Sequence, residues 1–477
     1  MNSMSRATSV PDPTPILFLI AICLAFAPLV ADESVRLLLV GTALLPVGLL
    51  VFQWLTLSAE AGVVLLVVAA AMPRGSVDIG GLNARPEHVA AGLLCLAIPL
   101  LMRRRRRQVP WMFADYLLAA YVGLNILSSL LMSPEPQQTL KWSMQQTLAI
   151  LSYFFLRVLA DDESRFQWAF RASLLVGALV GAYGVVCYYS NFFFETEFGV
   201  GVDQYGAIPA TYGTQFEANI LGAYCGACSV ALLAMYVQER RRRFLVGYAI
   251  TLAGMAVSLS RGALGATFIG LMVLAYSAKR MGLLNRRILL HIGAATLCVS
   301  IVIMPVLAAR YSERLSTLSV ADPSADENTL VRLIQLAAAA KNIAESPVLG
   351  NGTASFQLLF GPEVAGVDLG TETPWIPNSE IRILHDTGVI GFTVFVLFLG
   401  SLLRQSWRHL KRVSDPALLA LLVSAAVYVV SFQVTEGTIL AFTWVHLGLI
   451  ACAISVQRTS VGDEIAGAQG PNANQVV

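Results

Sequence analysis

Three arginines and one short polar run carry most of the chemistry this sequence could perform. Arg261 follows Ser258-Leu259-Ser260 and precedes Gly262-Ala263-Leu264-Gly265, where one apolar run ends and the next begins with almost no loop to solvate it. An arginine at such a junction is costly unless it meets an anion at or near a membrane interface; the bland alternative is snorkelling to lipid phosphates. Arg332 leaves the mostly apolar face of a helical pattern, where a solvated surface arginine is the competing reading. Asn378, Glu380, Arg382, His385 and Asp386 crowd together just before Gly388 and Gly391, at the entrance of a further apolar run. Guanidinium forks bind phosphate oxygens bidentately and stay charged at any working pH. Arginines gathered at a membrane interface therefore suit a diphosphate on a lipid carrier, with its tail in the bilayer and its head in a cavity above. The same clamp stabilises charge as the diphosphate departs, which requires no metal. No Asp-x-Asp, nucleotide-binding glycine loop or His/Cys ligand spacing lies on that face, so neither a cofactor nor a metal is expected.

Expected diphosphate ligands are Arg261, Arg332, Asn378 and Arg382, and expected catalytic residues are Glu380, His385 and Asp386. Asp386 lies four residues after Arg382, the spacing at which helical side chains meet, and a neighbouring cation makes a carboxylate a weaker base. Glu380 and His385, five apart on one helix, point about 140° away from each other. Glu380 has no cation three or four positions on and is the preferred base for an acceptor hydroxyl.

The elements that must position these residues are membrane spans. Of the 477 residues 56% are hydrophobic and only 13% charged, far from the roughly 25% charged of a soluble domain. Of the 32 basic residues, 17 fall in four clusters: Arg103 to Arg107, Arg240 to Arg243, Lys279/Arg280/Arg286/Arg287, and Arg404/Arg408/Lys411/Arg412. Short basic loops stay on the cytoplasmic side. At about 20 apolar residues per span, spans fall near 14–30, 36–55, 57–72, 87–102, 113–132, 142–160, 167–190, 217–237, 244–260, 262–278, 288–308, 384–403, 416–433 and 437–456. Even numbers of spans separate the clusters, so all four share one face and both termini are cytoplasmic. The expected fold is an all-α polytopic membrane protein with about 12–14 transmembrane helices. Residues 1–308 hold the N-terminal spans, 309–383 one large periplasmic loop with amphipathic helices, 384–457 the C-terminal spans and 458–477 a disordered cytoplasmic tail.

The net charge of +2 says little about partners, because the basic residues are segregated by side, and nucleic acid is not expected. The seven cysteines sit in or beside apolar runs and read as small hydrophobes; Cys225-x-x-Cys228, flanked by Gly222 and Gly226, reads as close helix packing. The first apolar run lacks a small-residue cleavage site and precedes Asp32 and Glu33, so it reads as a retained helix. In the long loop, Ser324 to Glu327 looks like a capping box ahead of a helix in which Leu330, Leu333, Ile334 and Ala337 recur on one face. Pro347 should end that helix, and Gly350-Asn351-Gly352 should turn the chain.

Residues 217–405 resemble the O-antigen ligase and polymerase family of bacterial surface-polysaccharide enzymes. The resemblance is carried by Ser260-Arg261-Gly262-Ala263, by Arg332 followed by Ser346-Pro347-Val348-Leu349-Gly350-Asn351-Gly352 and Phe356, and by Pro377-Asn378-Ser379-Glu380-Ile381 running into His385-Asp386-Thr387-Gly388-Val389-Ile390-Gly391. It implies a glycosyltransferase of the bacterial inner membrane that takes a glycan from undecaprenyl diphosphate at the periplasmic face. The acceptor would be a lipid A core sugar in a ligase or the next lipid-linked repeat in a polymerase, and other polysaccharide assembly proteins would be possible partners beside the membrane lipids. Arg261 and Arg332 match the family arginines assigned to the diphosphate. The family commonly reads His-Asn where this chain has Pro377-Asn378, and the missing histidine favours polymerase over ligase. The alternative is a transporter or flippase of lipid-linked oligosaccharide, for which a dozen spans is ordinary.

Overall fold

The computed structural model describes residues 50–468 except 76, 80–81, 106–108, 203–208, 317–326, 361–374 and 414. It is mostly helical, at 79%. Among the described residues six helices are long and apolar enough to cross a membrane: Pro86–Arg104, Phe113–Leu131, Glu163–Phe194, Ala218–Glu239, Arg261–Arg280 and Ser379–Leu410. This is compatible with an all-α membrane protein.

In chain order the helices are α1 (Ala59–Ala70), α2 (Pro86–Arg105), α3 (Phe113–Leu131), α4 (Pro136–Leu159), α5 (Glu163–Phe194), α6 (Ala218–Glu239), α7 (Arg242–Val257), α8 (Arg261–Arg280), α9 (Arg286–Ser316), α10 (Glu327–Glu345), α11 (Phe356–Leu359), α12 (Ser379–Leu410), α13 (Pro416–Ser431) and α14 (Ala441–Ala468). Each span expected from 57–72 onward falls on one of these helices. The span expected at 14–30, most of that at 36–55 and the end of the tail lie outside the described residues. Among the described residues, α1, α13 and the apolar part of α14 are apolar but shorter than the six, and α4 carries a polar stripe along its first turns. Two small antiparallel ribbons were not expected: β1 (Val77–Ile79) with β2 (Leu82–Ala84), and β3 (Val200–Val202) with β4 (Pro209–Thr211).

The described chain forms two compact units, 50–62 with 93–105, and 63–92 with 109–468. In the first, Arg104 donates to the Thr56 carbonyl at 3.1 Å. In the second, α6 is the central helix, 94% buried along its apolar window, with α5, α7, α8 and α13 packed on it. Its small residues allow that approach: a Cβ at Gly222 would come within 2.6 Å of the Ala263 Cβ. Cys225 and Cys228 lie along this helix as free thiols. The helix α12 packs on α3, and α4 packs on α3 and α14. A buried ion pair joins the last three: Arg157 lies 2.9 Å from Asp115, donates to the Pro110 and Ala451 carbonyls, and Asp115 also accepts from Tyr153 at 2.7 Å.

The helix α10 ends at Glu345, ahead of Pro347 as expected, but its buried face differs from the expected one. Val331, Gln335, Ala338, Ala339 and Asn342 are buried, whereas Leu333 is 50% exposed and Ala337 is also exposed; the side chain of Leu330, and Ser324 of the expected capping box, lie outside the described residues. Both stripes of this helix are apolar, and the choice between them is made by its neighbours Phe356, Phe360 and Ile376.

Helix α12 is broken at Gly388, which has φ 62° and ψ −171°. Val389 and Ile390 donate instead to the carbonyls of Pro347 and Val348, while the freed carbonyls of His385 and Asp386 accept from Asn351 and Gly352 at 2.8 and 3.0 Å. The 347–352 segment thus inserts into the helix and takes over its lost hydrogen bonds. The fit requires glycine at Gly350, φ 74°, where a Cβ would lie 2.5 Å from the backbone nitrogens of Thr387 and Gly388. The backbone of Gly388 is in a region open to glycine only, worth about 1–3 kcal/mol to a side chain, and a Cβ there would also strike the Val348 carbonyl. Gly388→Ala and Gly350→Ala should each lower the thermal midpoint in detergent sharply. Gly400→Ala, further along the same helix with open space around it, should be neutral or stabilising by roughly 0.5–1 kcal/mol. Equal midpoints for Gly388→Ala and the parent chain would refute the inserted-loop account.

Candidate functional site

The break in α12 faces a cavity of about 450 Å³. Its wall is made by Arg85 just before α2; Gln138, Lys141, Trp142, Gln145 and Gln146 on α4; Phe216, Glu217 and Ile220 at the start of α6; Ala354, Phe356 and Gln357; Trp375 and Ile376; Arg382 and Asp386 on α12; and Thr435, Glu436 and Ile439 between α13 and α14.

Arg382 is the charged centre of this wall. Its Nε lies 3.3 Å from Asp386 and its terminal nitrogen 3.5 Å from Glu436, with all three side chains nearly buried. The carboxylates are themselves held. Asp386 Oδ2 also accepts from the Ala354 backbone at 3.0 Å, and its Oδ1 lies 3.0 Å from His385 Nδ1. Glu436 accepts from the Thr438 backbone at 2.6 Å and from the Thr438 hydroxyl. The expected Arg382–Asp386 contact one turn apart is present. Arg85 stacks over Phe216 at 4.5 Å and lies 3.7 Å from the Glu87 carboxylate, while its Nε is buried without a partner. Burial pushes the Arg85 guanidinium below its ordinary value, Glu87 opposes the shift and Arg382 adds to it. Two half-buried guanidiniums thus line one cavity, where an anion between them would meet a cation on either side.

The other expected site residues sit elsewhere. His385 is fully buried behind the wall, its ring edge against Phe356, and its Nε2 has no hydrogen-bond partner. Glu380 accepts from Gln433 at 2.7 Å and does not line the cavity. Asn378 caps α12, accepting from Ile381 at 2.8 Å and donating to Gln433, so its contacts are those of a helix start. Arg261 opens α8 behind the cap Ser260, whose hydroxyl donates to Asn219 at 2.8 Å, and Arg332 lies half-buried on α10; neither lines the cavity. Arg382 and Asp386 are the expected residues that do.

Arg85, Glu436 and the α4 wall were not anticipated. Gln138, Lys141, Trp142, Gln145 and Gln146 follow the three-and-four spacing of one helical stripe, a signal present in the sequence. Arg85 and Glu436 carry no such pattern. No protein-family model matches this sequence, and comparison with curated proteins yields no significant match.

The ion network makes a stability prediction. Removing the cation alone, in Arg382→Met, leaves two buried carboxylates uncompensated and should cost about 3–5 kcal/mol. Neutralising all three, in Arg382→Met with Asp386→Asn and Glu436→Gln, should cost less than the single change. Denaturation in detergent measures both; a single variant as stable as the parent would remove the network from the account.

Proposed function

We propose that the protein is a multi-pass glycosyltransferase of the bacterial inner membrane that moves a glycan from a polyprenyl diphosphate carrier to a second glycan at the periplasmic face. The observation that carries this reading is the shared cavity of Arg85 and Arg382, two half-buried guanidiniums beside a wall of amides and aromatic rings. In the basic-cluster pattern every residue of the wall falls in a connection on the side opposite the clusters or at the adjoining end of an expected span. Cations suit the diphosphate, and amides with aromatic faces suit hydroxylated rings.

In the reaction, the acceptor hydroxyl oxygen bonds to the anomeric carbon as that carbon's bond to the diphosphate oxygen breaks. The pyrophosphate charge that develops is met by Arg85 and Arg382. The hydroxyl proton goes to a carboxylate of the wall. We assign this role to Glu217, which lines the cavity at the start of α6, rather than to Glu380, which does not line it. Pro377 in place of the family histidine favours a lipid-linked repeat as acceptor, hence a polymerase, over the lipid A core of a ligase.

Reconstitution with undecaprenyl diphosphate-linked repeats, with and without lipid A core, separates chain growth from core capture. The broken α12 is also a device of transporters; in the same liposomes, movement of the lipid with no new glycosidic bond would establish that second reading. Alanine at Arg85 or Arg382 should cut turnover at least tenfold, as loss of a charge-assisted hydrogen bond of about 1.5–3 kcal/mol requires. Turnover near normal at those positions, with the loss at Arg261 and Arg332 instead, would move the diphosphate outside the cavity. Glu217→Gln should lose more rate than Glu380→Gln across pH 5 to about 9; the reverse order restores Glu380 as base.

A further inference from the structure

The rest of the cavity wall has a character that a diphosphate does not explain. On α4, Gln138, Lys141, Trp142, Gln145 and Gln146 form one stripe facing the cavity. Gln146 is only 5% exposed, yet its Oε1 has no hydrogen-bond partner. Thr435, 1% exposed and also on the cavity wall, has a hydroxyl oxygen in the same condition. Two buried, unanswered polar oxygens on one wall call for donors from a ligand, since such atoms are costly to leave unmet. Sugar hydroxyls are donors of that kind, and Trp142 and Trp375 offer flat faces for the apolar side of a ring.

Lys141 adds a charge to this wall. It is half-buried and, among the described residues, forms no ion pair, unlike Arg85 and Arg382 in the same cavity. A single ammonium is a point charge that one anionic group of a ligand neutralises, and with the diphosphate placed at the arginines the anion left for Lys141 is a carboxylate of the glycan. We propose that the α4 wall is the acceptor subsite and that it selects a glycan containing a uronic acid, with Lys141 on the sugar carboxylate and Gln146 and Thr435 accepting from ring hydroxyls. This rests on the glycosyltransferase reading above for the word acceptor, while the preference for an acidic sugar rests on the wall itself.

The test uses purified full-length protein in detergent and two probes that share a sugar backbone and differ at the carboxyl groups, a charged oligogalacturonate and its neutral methyl ester, followed by calorimetry. The acid should bind at least tenfold tighter than the ester, with the advantage shrinking as salt rises. Lys141→Gln, which leaves the packing face of α4 untouched, should bring the acid down to the ester while leaving the ester unchanged; Trp142→Ala should weaken both. Equal affinity for acid and ester, or an acid preference that survives Lys141→Gln, overturns the proposal, as does no binding of either probe to protein whose thermal midpoint is normal. Release of undecaprenyl diphosphate from a linked donor is measured in parallel. If the acid binds as expected and no donor is ever turned over, the acidic-sugar site stands and the transferase reading falls; if donors are turned over with no acid preference, this inference alone falls.

Discussion

The site depends on an exchange of backbone hydrogen bonds at Gly388. A helix interrupted inside a bundle leaves polar groups that must be paired, because an unpaired amide or carbonyl away from water is costly. Here the 347–352 segment supplies both donors and acceptors to the gap, and Ser128 and Ser129 of α3 extend the pairing. Ser128 donates to the Asp386 carbonyl at 2.7 Å and accepts from the Gly352 backbone; Ser129 accepts from the Thr353 backbone at 3.0 Å. Four stretches of chain are thereby locked in one register. The consequence for function is placement: the helix breaks at Gly388, two residues after Asp386 of the cavity wall, and Ala354, just after the inserted segment, binds the Asp386 carboxylate through its backbone.

The second constraint is electrostatic. A buried guanidinium and two carboxylates are tolerated only when each is held by further hydrogen bonds, and Asp386 and Glu436 satisfy this through backbone amides at Ala354 and Thr438. Arg382 is therefore fixed in place, whereas Arg85 has one distant carboxylate and an unmet Nε. The pair combines a rigid cation with one whose charge is poorly compensated, and an anionic ligand gains most from the second.

Much of the scaffold was legible in the sequence. Hydropathy located α1 to α9 and α12 to α14, amphipathic spacing placed α10 and Pro347 its end, and the four-residue spacing of Arg382 and Asp386 foretold their contact, while the short α11 carried no signal. What was not legible are relations between segments far apart in the chain. Gly350 and Gly352 read as a turn and Gly388 and Gly391 only as the residues that follow the polar run, and only the fold shows that Gly350 and Gly388 meet. Arg85 and Glu436 sit in short connections without periodicity, and they enter the site because α2, α12 and the α13–α14 connection end at one cavity. The misjudged face of α10 has the same origin: alanines and leucines on both stripes let the partner decide.

The stripe on α4 is a different kind of omission, since its spacing was readable. A search for apolar spans starts this helix at 142, which leaves Gln138 and Lys141 outside it and sees Gln145 and Gln146 only as interruptions of an apolar run. The opposite face of the same turns settles its identity as ordered helix: Thr139 donates to the Ser129 carbonyl at 3.1 Å, Ser143 is buried, and the helix continues without a break into the Tyr153 and Arg157 cluster. One face of α4 is thus spent on packing against α3, and its amides are turned to the cavity by the geometry of the helix alone. A polar stripe anchored this way cannot rotate toward lipid without breaking the buried Arg157–Asp115 pair at its other end. The same helix that closes the bundle at one end therefore holds the amide wall in register at the other, which is why the wall keeps buried oxygens that its own side chains do not satisfy.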